Sequence, residues 1–131
     1  MSYEKGKSFE HDVKRIFKQH GITCFRVTRW YPIDLICIKD GKAFLFEIKV
    51  RQTTTKVQVK GSKMRVLRIL RRKTGCNVYF IVKTKNMREY YVLELEAFNR
   101  TLENNYIITE SEIEKRGIRL QDFIEKLKVI K

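Results

Sequence analysis

The most restrictive segment of the chain is IDLICIKDGKAFLFEIKV, residues 33–50, in which two apolar runs meet at Asp40-Gly41. Asp-Gly is a strong hairpin signal, because both residues accept the positive φ that a two-residue turn needs to match the strand twist. Closing the turn there pairs Lys39 with Lys42, which sets Ile38 against Ala43, Ile36 against Leu45 and Asp34 against Glu47. Two acids are thus expected as direct cross-strand neighbours, with Cβ atoms roughly 4.5–5.5 Å apart, and like charges so placed destabilise a sheet unless something neutralises them. Side chains alternate along a strand, so Lys49 shares the face of Glu47 while Phe44, Phe46, Ile48 and Val50 take the other. A bulge at the turn would shift the pairing by one residue and turn Asp34 away.

Acid, acid and amine on one face describe a site for a hard divalent cation. Mg²⁺ takes oxygen from one or two carboxylates, completes its octahedron with water and commonly engages phosphate oxygens. Bound there it would polarise a phosphate and acidify a water, while Lys49 could orient that water or take its proton, since burial can lower the pKa of a lysine. Glu-x-Lys alone is commonly an exposed ion pair on a strand face. Asp34 is harder to read that way, because it is bracketed by Pro32, Ile33, Leu35 and Ile36. Glu10 is a fourth candidate: it lies about 20° from Phe17 around a helix over 4–19, at the edge of the apolar stripe. It reads equally well as a solvated acid near a helix N-terminus.

The remaining pattern supplies a layered frame. Phe9, Val13, Ile16 and Phe17 define the first helix, which Gly21 ends, and 22–28 alternates as a strand. The polar segment 51–62 reads as a loop with a short strand at 57–59. A strongly basic helix follows over 62–73, with Met64, Leu67 and Leu70 on one face. Strands over 77–83 and 88–95 form a second hairpin, and a final helix spans 119–130. This order predicts an α/β fold in one domain, 1–131, with helices covering a central mixed sheet.

Composition constrains the partner. The 29 Lys+Arg against 15 Asp+Glu give a formal charge of +14, which suits a polyanion whose condensed counterions are released on binding. Nucleic acid is the expected partner and a membrane is not: no lysine-rich amphipathic helix dominates, and no apolar run approaches the roughly 20 residues a span requires. Cys24, Cys37 and Cys76 match no zinc spacing and are expected as buried free thiols in a reducing compartment. The N-terminal residues lack the apolar core of a signal peptide, so a cytoplasmic location is expected.

Lys5-Gly6 followed by Glu10, an isolated Asp34, and Glu47-Ile48-Lys49-Val50 after the hairpin together resemble the PD-(D/E)xK nuclease superfamily. More closely, YEKGKSFEHDVKRIFKQHGITCFRV followed by IDLICIKDGKAFLFEIKV is similar to the archaeal-type Holliday junction resolvases, the Hjc family, and the likeness extends over most of the chain. The resemblance implies a restriction-endonuclease-like fold and a homodimer that cuts four-way DNA junctions with Mg²⁺, Mn²⁺ being able to substitute, and with no nucleotide cofactor. By motif position it implies Asp34, Glu47 and the Ile48 backbone carbonyl as metal ligands, Lys49 as the catalytic lysine and Glu10 as the additional acid. It departs from the family in the loop before Asp34, where TRWYPI stands in place of a small loop carrying a serine. Trp30 and Tyr31 could stack on unpaired bases there, or pack on the sheet or a partner.

Lys5, Lys7, Lys14, Arg26, Arg29, Arg51, Lys63, Arg68, Arg71 and Arg72 are the expected phosphate contacts, with Trp30 beside them; each alone also reads as a solvated charge. Such contacts position a protein without reading sequence, which suits a branched shape. Against a junction resolvase stand another nuclease of the same superfamily and a non-catalytic DNA-binding protein. A dimer contact is expected on an exposed apolar face of the segment 77–95.

Overall fold

The structure, a computed structural model, describes residues 3–27 and 32–129, with the side chains of residues 3–8 outside that description. In chain order the elements are α1 (Tyr3–Gln19), β1 (Thr23–Arg26), β2 (Leu35–Lys39), β3 (Lys42–Val50), β4 (Lys56–Lys60), α2 (Gly61–Thr74), β5 (Asn77–Lys83), β6 (Tyr91–Glu94), a 3₁₀ turn (Leu95–Ala97), β7 (Arg100–Leu102), β8 (Asn105–Thr109), α3 (Glu110–Arg116), β9 (Ile118–Arg119) and α4 (Leu120–Val129). The Asp40-Gly41 hairpin forms as the sequence predicts: Asp40 and Gly41 take φ of 51° and 77°, and the ladder runs from Lys39↔Lys42 to Leu35↔Phe46.

β3 is the centre of the molecule. It pairs antiparallel with β2 and parallel with β5, inside a mixed sheet ordered β1-β2-β3-β5-β6-β9. A parallel neighbour needs a long crossover, supplied by β4 and α2. Alternation along β3 divides the apolar residues into two cores. Phe44, Phe46 and Val50 pack under α1 and α4 with Val13, Phe17, Phe123 and Ile124. The Phe46 ring lies 5.3 Å from that of Phe17 and 6.0 Å from that of Phe123. On the opposite face Leu45 and Phe80 meet Met64 and Leu67 of α2 and Val57, Val59 and Ile108 of a smaller sheet. Each fully buried side chain of this size contributes roughly 1.5–3 kcal/mol.

The smaller sheet, β4-β8-β7, was not legible in the sequence. The short strand expected at 57–59 forms as β4, one residue longer at each end, and it pairs with β8 and buries Val57 and Val59. β7 and β8 turn through Glu103 and Asn104, with φ of 51° and 68°, and α3 opens with a capping box between Thr109 and Glu112. β1 and β6 are shorter than the apolar runs that announce them. The strands of 77–95 are covered by helices and by the small sheet: Val78, Phe80, Ile81, Val82, Val92 and Leu93 are all buried. An exposed apolar face is therefore not found there. Large exposed apolar residues include Phe25 and Ile38 on the outer face of β1 and β2.

The cysteines also differ from expectation. Cys24 and Cys37 are register partners on β1 and β2 with Cα atoms 4.0 Å apart, and they form a disulfide; Cys76 is a free thiol. Odd number and wide sequence spacing concealed this, because the pairing is created by strand register. Both sulfurs are buried in the core beneath α1. The bridge closes a loop with a sequence separation of 13, so Cys24→Ser with Cys37→Ser is expected to cost about 2–4 kcal/mol. Chemical denaturation of the oxidised protein and of the double variant measures the difference; equal midpoints would contradict it.

Candidate active site

The site forms where β3 outruns β2. Asp34 precedes β2, and its N–H donates to the Phe46 carbonyl at 2.8 Å. The ladder stops at Leu35↔Phe46, so Asp34 and Glu47 are not the register partners that an uninterrupted hairpin implied. They nevertheless come together. With β2 ended, the Ile48 N–H lacks a backbone partner on that side, and Asp34 Oδ2 accepts its hydrogen bond at 2.7 Å. This hydrogen bond turns the Asp34 carboxyl onto the overhang of β3, within hydrogen-bonding reach of the Glu47 carboxyl. A strand residue aims its N–H and C=O toward the same neighbour, so the Ile48 carbonyl faces the same gap.

Glu47 is 4% exposed, and among the described residues it is the one buried carboxylate. A charge in that setting has to be paired. Lys49 Nζ lies 4.0 Å from Glu47 Oε2, on the same face of β3, and Lys63 Nζ lies 2.6 Å from the same oxygen. Lys63 was expected as a surface phosphate contact; it reaches Glu47 from the second residue after the start of α2. The signal was present in the sequence, since Lys63 stands at i, i+4 and i+7 with Leu67 and Leu70, on the stripe that α2 buries.

Glu10 leans in from α1 and accepts a hydrogen bond from Arg26 Nε at 2.8 Å. Burial pushes its pKa up, the Arg26 hydrogen bond opposes this, and the Asp34 charge adds to the rise. Asp34 is pushed further, to about 7: burial is the main cause, followed by its hydrogen bond to Glu47 and the Glu47 charge, with the Ile48 N–H and Glu10 acting the other way. Glu10, Asp34 and Glu47 thus form a line of three acids. Among the described residues no three His, Cys, Asp or Glu side chains are grouped closely enough to hold one ion by themselves. A divalent cation would draw on Asp34, Glu47, the Ile48 carbonyl and water. This hard-oxygen set suits Mg²⁺, and an aspartate held near neutral pH is a group that a cation would ionise.

The other expected contacts separate into groups. Lys14 is half-buried on α1. The backbone N–H of Arg51 ties β3 to Lys83, and its side chain donates to the Val50 carbonyl. Arg68 donates to Tyr106 Oη at 3.1 Å and lies over its ring. Arg71 is held by both oxygens of Glu96, at 2.9 and 2.6 Å. Arg72 faces outward beside Arg68 on α2. The side chains of Lys5 and Lys7, together with Arg29, Trp30 and Tyr31, lie outside the described residues.

Asp34 supplies a pH test. Its folded pKa of about 7 stands above its ordinary value of 3.8, so between these values the folded chain holds more protons than the unfolded one and stability falls as pH rises. In chelator, Asp34→Asn is expected to gain on the wild type from about pH 4 to about pH 7 and to melt higher above that range. Thermal melts across the pH series measure this, and a constant difference would refute it.

Comparison with known proteins places this geometry in a lineage. A stretch of 52 residues is 35% identical to the crossover junction endodeoxyribonuclease Hjc of Methanocaldococcus jannaschii, covering 40% of this chain and 39% of that protein, so the match spans about two fifths of the curated relative. The fold matches Hjc of Archaeoglobus fulgidus, a Holliday junction resolvase from an archaeal hyperthermophile, with a TM-score of 0.79 over 92% of this chain and 96% of that one. At 21% identity that likeness establishes the fold, a central mixed sheet flanked by helices. The sequence model described as archaeal Holliday junction resolvase (Hjc) matches residues 1–131, and the chain belongs to that family.

Proposed function

We propose that this chain is a structure-selective endonuclease that resolves four-way DNA junctions by paired, Mg²⁺-dependent phosphodiester hydrolysis, acting as a homodimer of 131-residue nuclease domains in the cytoplasm. The observation that carries the reading is the Asp34–Glu47–Lys49 cluster on the β3 overhang, combined with membership of the Hjc family. A junction offers two equivalent strands, and a two-fold dimer would meet them with two equivalent sites. Phe25 and Ile38, exposed together near the edge of the large sheet, offer apolar surface for a contact between copies.

A divalent ion bound by Asp34, Glu47 and the Ile48 carbonyl supplies Lewis-acid polarisation of the phosphate and an acidified water. This chain's own groups do the rest. The Ile48 N–H fixes the Asp34 carboxyl, and Arg26 fixes Glu10 beside it. Lys49, on the Glu47 face, places an ammonium beside the phosphoryl oxygens on which negative charge develops, and its N–H groups orient the attacking water.

DNA would lie across the basic surface around this overhang. On the outer side of α2, Arg65, Arg68 and Arg72 form one wall of a groove of about 810 Å³, and Thr101, Asn104 and Tyr106 of the β7–β8 hairpin form the other. The groove is held to its width by the Gly61 N–H, which donates to the Asn104 carbonyl at 2.9 Å; a Cβ on Gly61 would stand 2.3 Å from that oxygen. Guanidinium groups in a groove lined by hydroxyl and amide groups suit a phosphodiester backbone. Arg71 would have to leave Glu96 to join them. Lys5, Lys7, Lys14, Arg29, Trp30 and Arg51 extend the proposed DNA surface around the active face.

Glu47→Gln and Asp34→Asn are expected to keep junction binding and lose Mg²⁺-dependent nicking, and Lys49→Ala to slow it by roughly 10²–10⁴-fold. Cleavage of synthetic four-way junctions, flaps, forks and plain duplex at fixed salt measures this. Symmetric nicks near the branch point support resolution; equal cutting of duplex points to another nuclease of the superfamily, and binding of DNA without cleavage in any divalent ion points to a non-catalytic protein.

A further inference from the structure

The active-site carboxylate on β3 is shared by two lysines with different origins. Lys49 follows Glu47 by two residues on the same strand and stays 4.0 Å from Oε2. Lys63 comes from a different element, α2, and stands 2.6 Å from that same oxygen. Its side chain is 28% exposed, against 65% for Arg15 on the surface of α1, so most of it is screened from solvent. Met64 and Leu67, its neighbours on that stripe, are fully buried.

Glu47 Oε2 is also an atom that a divalent ion would use. An ammonium in hydrogen-bond contact with the oxygen and an ion at the roughly 2.1 Å typical of Mg²⁺ cannot both occupy one carboxylate without strong mutual repulsion, because the site is largely screened from bulk water. If the ion takes the other oxygen of Glu47, Lys63 remains a like charge a few ångströms away. The sign of the interaction is the same in both cases.

We infer that Lys63 is a further positioning residue of the site: it neutralises Glu47 while no divalent ion is bound, competes with that ion for the carboxylate, and on displacement offers its charge to the incoming phosphodiester. The inference rests on Glu47 being a metal ligand. It separates Lys63 from the arginines of the outer face of α2, whose charges only gain from contact with DNA. It also gives Lys63 a cost and a benefit of opposite sign, with metal affinity lowered and substrate contact strengthened.

The test uses the full chain without DNA. Mn²⁺ is titrated calorimetrically into the wild type, Lys63→Gln, Lys63→Met and Lys63→Arg, and metal-free binding of a four-way junction is measured alongside. Removing the lysine charge is expected to tighten Mn²⁺ binding by about tenfold and, by leaving the Glu47 carboxylate unneutralised against the phosphodiester, to weaken metal-free junction binding, whereas Lys63→Arg stays close to the wild type in both. A lysine needed only for folding would lower melting temperature without tightening metal binding. In the wild type, side-chain NMR of the lysine amines is expected to shift the Lys63 signal in step with Mg²⁺ occupancy, a readout independent of any substitution.

Unchanged or weaker Mn²⁺ binding in folded Lys63→Gln would overturn the inference while leaving the metal site intact, as would a Lys63 signal indifferent to Mg²⁺. Failure of the wild type to bind any divalent ion would overturn both the inference and the metal-dependent reading of the site.

Discussion

The burial of one carboxylate on the central strand organises the functional part of this protein. β3 has β2 on one side over Lys42–Phe46 and β5 on the other over Phe44–Val50, and Glu47 sits just past the end of β2 at 4% exposure. A charge so placed forces its surroundings to answer it: two lysines approach, and the pKa of a second acid beside it is raised to about 7. The same electrostatic discomfort is what a cation bound there, as proposed, would relieve. Hydrophobic packing against α1, α4 and α2 supports that arrangement, because only a well-packed sheet can hold the groups where solvent cannot relax them.

The length difference between β2 and β3 turns this local problem into a site. A hairpin with equal arms would satisfy Ile48 through the backbone and leave no reason for an acid to face the gap. The shorter arm instead leaves an N–H that a side chain must satisfy, and Asp34 does so. The same device supplies the position of the Ile48 carbonyl. Strand length, rather than the residues alone, therefore shapes the proposed site.

Much of this was readable in the sequence because it is local. The Asp-Gly turn fixes the register down to Leu35↔Phe46, alternation sorts Glu47 and Lys49 from Phe46 and Ile48, and helical spacing finds the buried faces of α1, α2 and α4. What could not be read depends on contacts between distant segments. The Cys24–Cys37 bond needs the register of β1, the small sheet needs β4 to meet β8 across a whole helix, and Lys63 finds Glu47 only once α2 has crossed the sheet. The last of these left a local trace, a lysine in phase with leucines, which the abundance of basic residues on that helix obscured.

The close contact at Gly61 links the proposed DNA groove and the candidate site through something missing. With no side chain there, the tip of the β7–β8 hairpin settles directly on the start of α2. Even a methyl group would wedge them apart, widening the channel beside the arginines and tilting the helical turn that carries Lys63. The dimensions of the outer channel and the aim of an interior amine thus depend on a single absent carbon, and neither can be altered at this point without disturbing the other.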